Sequence, residues 1–154
     1  MSSRLLGLGL HWEEMPEGET FHTVGRTITE ADLTAFVGVT GMTEVLFTNT
    51  EYLDNETDFA GRRLLPGALV FSIAEGLLIQ SMLQRTGVAF MGMDFTVNGP
   101  SFAGDTVHVE CEVLTSRATK NPARGLVKTE NRVVNQHGET VLTYTPARLI
   151  KSRP

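Results

Sequence analysis

Two rhythms of apolar residues divide the chain. From Leu64 to Gln84 the sequence reads as one long helix. Pro66 suits a first helical turn, where its missing N–H is not needed, and Ala68 to Leu83 sustain a helical period before Thr86-Gly87 ends it. Leu69, Val70, Phe71, Ile73, Leu77, Leu78, Ile79, Met82 and Leu83 surround most of its circumference, which predicts burial nearly all round. Ser72, Glu75 and Gly76 fall at i, i+3 and i+4, so they form one narrow polar and small face on a buried helix. Chemistry is expected on that face.

After the helix the period changes from 3.6 to 2. Val88 to Val97 is a strand candidate, ended by Asn98-Gly99-Pro100. Next, Val107, Val109, Cys111 and Val113 face one way and His108, Glu110 and Glu112 the other. Asn121-Pro122 turns the chain, Gly125 to Val134 is a further strand, Gln136-His137-Gly138 a tight turn, and Thr140 to Ile150 the last strand. Before the long helix, residues 1–17 read as an irregular lead-in and Glu19 to Ile28 as extended, with Phe21, Val24 and Ile28 inward. Thr29 with Asp32 makes a capping box for a short helix whose stripe is Leu33, Phe36 and Val37, ending near Thr40-Gly41. Met42 to Arg63 has no clean period, and Asp54 to Asp58 reads as a loop. The expected architecture is α+β: a single domain over 1–154 in which a curved antiparallel sheet wraps around one long central helix.

Composition narrows the function classes. A chain of 154 residues with 41% hydrophobic and 20% charged residues can bury a real core without staples. The net charge of −5, with Arg62-Arg63 the only adjacent basic pair, argues against a nucleic-acid partner. A single cysteine, Cys111, rules out an internal disulfide framework and fits a reducing compartment. The apolar run in Met1 to Leu10 is too short and glycine-rich to be a signal peptide or membrane span, so a cytoplasmic protein is expected. His11, His22, His108 and His137 lie too far apart for metal-ligand spacing, and no bound metal is expected.

A long buried helix wrapped by antiparallel strands resembles the hot-dog fold. Three stretches, in order, resemble the MaoC-like acyl-CoA hydratase and dehydratase family: Gly25 to Phe36, Leu65-Pro66-Gly67-Ala68-Leu69, and Asn98 to Val107 with its Gly104-Asp105-Thr106 strand entry. The resemblance covers residues about 20 to 150. It implies an acyl thioester of CoA or a carrier protein as substrate, no further cofactor, and a homodimer with active sites where subunits meet. It also implies a catalytic Asp/His dyad just after the short helix, in a pattern like Thr-Gly-Asp-x-Asn-Pro-x-His, whose members move a proton at the α and β carbons of the acyl chain. Here the chain departs. Thr40-Gly41 matches, but Met42 holds the aspartate slot, Glu44 the asparagine slot, Val45 the proline slot and Phe47 the histidine slot. A thioether and a phenyl ring transfer no protons.

The remaining candidates follow from position and chemistry. Glu75, a carboxylate on an apolar helix, suits a general base, and it follows Gly67 by eight residues, which is similar to the catalytic carboxylate of PaaI-like hot-dog thioesterases. An ion-paired structural glutamate is the alternative. Gly67 and Ala68 N–H groups, free at a helix start, can polarise a thioester carbonyl. Glu44, Thr48 and Asn49 stand nearest the lost dyad, and Ser72 is a substrate contact or a bond to its own helix turn. Arg62, Arg63 and Arg124 are candidate phosphate contacts; His22 and His137 read as surface residues. Three functions remain open: a hydro-lyase acting on 2-enoyl or 3-hydroxyacyl thioesters through altered residues, a thioesterase using Glu75, and a non-catalytic acyl-thioester-binding subunit.

Overall fold

The computed structural model describes Ser3 and residues 5–154. Helix α1 (Glu30–Thr40) starts as its sequence requires. Thr29 Oγ1 accepts from the Asp32 N–H, and the Asp32 carboxylate accepts from the Thr29 N–H at 2.8 Å. That backbone donor holds the Asp32 carboxyl below the usual range, with Arg26 adding an ion pair at 2.6 Å. Gly41 ends the helix in the left-handed region, φ 71°.

The stretch expected to be irregular holds two short helices instead. Glu44 caps α2 (Val45–Thr48), its carboxylate accepting from the Leu46 N–H, and Asn49 caps α3 (Thr50–Glu56), accepting from the Tyr52 N–H. Leu53 is fully buried and anchors α3. Asp54, Asn55 and Glu56 therefore complete a helical turn. Two caps and one buried leucine outweigh the loop-like composition.

The central helix α4 (Gly67–Leu78) begins later than Leu64. Leu64 bridges to Phe102 and the Leu65 N–H donates to the Ser101 carbonyl at 2.9 Å, so the entry is extended and Pro66 is the N-cap. Past Leu78 the helix widens into a π-helical turn, Ile79–Leu83. Leu69, Val70, Ile73, Ala74, Leu77, Leu78 and Met82 are buried. Burial all round is not observed: Ala68, Ser72, Gly76 and Ile79 are exposed, because one flank of α4 is left uncovered by the chain's own sheet.

The sheet is antiparallel throughout: β1 (Thr20–His22), β2 (Arg26–Thr27), β3 (Gly87–Val97), β4 (Thr106–Ala118), β5 (Arg124–Val134) and β6 (Thr140–Lys151), ordered β1-β4-β5-β6-β3 with β2 also on β4. β3 thus pairs with β6, not with its neighbour in sequence, and forms an edge on which every residue is exposed. The expected extended run from Glu19 breaks into β1 and β2 at Thr23, whose buried hydroxyl takes the Val109 N–H in place of a backbone partner. The break turns Val24 outward, at 77% exposure, whereas Ile28 is fully buried as expected. Alternation in β4 holds, with Val107, Val109, Cys111 and Val113 inside.

The lead-in is better fixed than its composition suggests. Gly9 and Leu10 N–H groups donate to the Gln84 and Met82 carbonyls, Met15 is buried, and a 3₁₀ turn spans Trp12–Glu14. The Trp12 indole N–H donates to Ser152 Oγ at 3.0 Å, and its ring lies so close to Gly125 that any side chain there would collide with it.

Candidate active site

At the start of α4 the chain leaves peptide groups free. The Leu69 and Val70 N–H groups turn back to the Pro66 carbonyl, but those of Gly67 and Ala68 have no acceptor among the described residues. They sit at the positive end of a 12-residue helix, where they favour developing negative charge. Beside them opens a pocket of about 210 Å³ lined by Phe47, Leu65, Val70, Val97, Pro100 and Leu142 among others, with Ser101 its only polar side chain. A Cβ added at Gly67 would stand 3.0 Å from Val97 Cγ2, so glycine here keeps the mouth open.

Phe47, in the histidine slot of the resemblance, is therefore a wall of this pocket. Met42 and Glu44 are exposed and outside the lining. Glu44 uses Oε2 to cap α2, leaving Oε1 without a donor among the described residues, while Asn49 spends its carbonyl on capping α3. The Thr48 hydroxyl donates to the Glu44 carbonyl and the Ser72 hydroxyl to that of Ala68, so both serve their own turns.

Glu75 faces away from the pocket. Its Oε1 accepts from the Tyr144 hydroxyl at 2.8 Å and from Arg148 at 2.5 Å, with both charged side chains only 12–13% exposed. The expected Ser72–Glu75–Gly76 face is accordingly split: Ser72 and Gly76 look outward, and Glu75 is turned onto β6. Burial pushes the Tyr144 phenol pKa far upward, the Glu75 charge adding to the effect, and burial pushes the Cys111 thiol up to about 11. Asn131 lies between these two in register across the sheet, fully buried, with neither amide atom hydrogen-bonded among the described residues. The Glu75 knot was half visible in the sequence. Leu142, Tyr144, Arg148 and Ile150 share one parity of β6, so an arginine at an inward position signalled a buried partner.

The arginines part company. Arg62 stacks on the Phe102 ring at 3.7 Å and lines a polar cleft of about 450 Å³ with Asp105, His137 and Glu139; this cleft shares Gly99, Pro100 and Val141 with the apolar pocket. Arg63 pairs with Glu30 at 2.7 Å and donates to the Phe47 carbonyl at 3.3 Å. Arg124 opens β5 and lines neither space, and His22 is exposed on β1.

A family model described as the MaoC like domain matches residues 13–135. The chain belongs to the MaoC-like dehydratase family. Its fold is the hot-dog fold. A solved structure titled monoamine oxidase regulatory protein, from Archaeoglobus fulgidus, is 32% identical to this MaoC-like chain, with TM-score 0.83 over 96% of this chain and 97% of that one. A curated relative, the mesaconyl-CoA hydratase of Cereibacter sphaeroides, is 28% identical over 152 residues, 94% of this chain and 42% of that protein. The MaoC-like chain thus spans less than half of that relative. A Mycobacterium tuberculosis protein with a double hot-dog fold shares the fold at 17% identity, TM-score 0.81, over 95% of this chain and 45% of its own. Among the described residues no helix is long and apolar enough to cross a membrane.

Proposed function

We propose that this chain is an acyl-thioester hydro-lyase that binds a CoA or carrier-protein thioester at the start of α4. The carrying observation is the pair of N–H groups, Gly67 and Ala68, without acceptors among the described residues at the mouth of an apolar pocket that Gly67 lines. A thioester oxygen placed there gains two donors as it takes on negative charge, and the acyl chain gains an apolar enclosure. Hydration of a 2-enoyl thioester then adds the water oxygen at Cβ and a proton at Cα. The proton transfer is assigned to Glu44, which lies outside the lining but three residues before the pocket wall Phe47: its Oε1 accepts the proton from water as the C–O bond forms and returns it to Cα, so no net proton is consumed. The mesaconyl-CoA hydratase relative supports the reaction class.

The site is completed by a second copy of the chain. The unpaired edge of β3 supports this, with Phe90, Met91, Met93 and Phe95 exposed along it beside the open flank of α4. So does the repeat of the fold within one Mycobacterium chain. The buried free thiol of Cys111 suits a reducing, cytoplasmic setting.

The test follows enoyl absorbance and free thiol together over a panel of acyl-CoAs. Loss of enoyl absorbance without thiol release, cut at least a hundredfold in Glu44→Gln, is the expected result. A non-catalytic binding protein is the second reading, favoured by a pocket wall of Phe47 in place of a base. Saturable acyl-CoA binding with no turnover in either channel would establish it, and thiol release would return the thioesterase chemistry to consideration.

A further inference from the structure

Phe47 and Arg63 together do something that neither chemistry above requires. The backbone around Arg63 is pinned: its carbonyl accepts from the Ala103 N–H at 2.9 Å, Leu64 bridges to Phe102, and the Leu65 N–H donates to Ser101 at 2.9 Å. From this fixed rail the guanidinium reaches two other elements, the Glu30 carboxylate at the first turn of α1 at 2.7 Å and the Phe47 carbonyl in α2 at 3.3 Å. α2 is a single turn with no fully buried residue of its own, held by the half-buried Phe47 ring and by this bond from Arg63. The ring it fixes packs against the hydrophobic core and walls a pocket of about 210 Å³. That is smaller than the roughly 300–1,000 Å³ of sites for drug-sized ligands.

We infer that Phe47 is the stop that limits this pocket to short acyl chains with an apolar end, and that Arg63 is the positioning residue that sets where the stop stands. The inference rests on reading the pocket as the acyl site, but it concerns chain length and not reaction. A long chain meets the phenyl ring, and a hydroxyl or carboxylate at the chain end meets the apolar carbon of that ring, which costs binding. Glu30 contributes by holding the outer side of the guanidinium, and because it is 63% exposed its removal matters less than that of Arg63.

The experiment measures dissociation constants of saturated acyl-CoAs from two to twelve carbons, and of n-alkanols of the same lengths, by calorimetry. The proteins are the full chain and its Phe47→Ala, Phe47→Leu, Arg63→Ala, Arg63→Lys and Glu30→Gln variants, each checked for an unchanged circular dichroism spectrum. In the parent, affinity is expected to rise with length and then drop at least tenfold within two carbons. Phe47→Ala moves that drop to longer chains. Arg63→Ala moves it the same way although Phe47 is intact, Arg63→Lys restores part of it, and Glu30→Gln moves it least. A drop at the same length in Phe47→Leu, Phe47→Ala and parent overturns the inference, and so does a shift in Phe47→Ala that Arg63→Ala fails to reproduce. Alkanol binding with the expected shifts but no acyl-CoA binding upholds the stop and rejects the acyl-thioester reading. Absence of binding by both series rejects the stop.

Discussion

The first and third turns of α4 make opposite use of polarity. At Gly67 and Ala68 the peptide N–H donors have no partner among the described residues, and Gly67 lines an apolar pocket. Two turns on, Glu75 is a carboxylate whose Oε1 is held by both Tyr144 and Arg148. Availability, and not charge, separates a place where a substrate can be held from a place where the protein holds itself. A carboxylate clamped between a nearly buried arginine and a buried phenol is a strut. A bare amide at a helix start needs to surrender nothing.

The sharpest way to break this comparison is to remove the strut. Glu75→Ala leaves Arg148 nearly buried and unpaired, and is expected to cost about 3 kcal/mol in urea unfolding, while the folded fraction keeps its acyl-CoA affinity. Intact stability with loss of all turnover in Glu75→Gln would instead make Glu75 a base. At the other end, Gly67→Ala adds a Cβ at 3.0 Å from Val97 Cγ2 and is expected to weaken acyl-thioester binding about tenfold, roughly 1.4 kcal/mol, with little change in unfolding midpoint.

Alkaline titration probes the same interior from the sheet side. The Cys111 thiol and Tyr144 phenol both have folded pKa values raised by burial, so their neutral forms stabilise the fold fully below the ordinary values of 9.0 and 10.0. That contribution is lost as pH rises, first as the unfolded thiol ionises above pH 9.0. Stability measured from pH 8 upward should fall, and Cys111→Ala should delay the onset toward the phenol range. The smallest effect belongs to Ser72→Ala, within about 0.5 kcal/mol, because its hydroxyl serves only the turn beneath it. A larger loss of ligand affinity in that variant would place Ser72 in the site.

The sheet and both main helices were legible in the chain because each rests on a regular period closed by a strong stop: Thr29 with Asp32, Gly41, Pro66, and the Asn98-Gly99-Pro100 break. α2 and α3 were not, since their apolar residues are too few to set a period and their order comes from side-chain caps at Glu44 and Asn49, from buried Leu53 and from the distant Arg63. The free N–H groups of Gly67 and Ala68 could be named from a proline and a glycine at a helix start. The inward parity of Arg148 signals a buried partner but does not name Glu75, because Tyr144 and Arg148 lie 69 and 73 residues from it and meet it only through the order of strands. For the same reason Phe47 reads as a loss of chemistry in sequence and as a wall in three dimensions.

Trp12, the one tryptophan, bonds to Ser152 across 140 residues of chain and stacks where Gly125 clears the space. Closing so large a loop carries an entropy penalty that local helix and hairpin contacts repay only once most of the sheet exists. In refolding, therefore, the tryptophan's emission should settle in the last phase, after the far-ultraviolet signal of the strands, making this single indole a clock for the moment the two ends of the chain are fastened together.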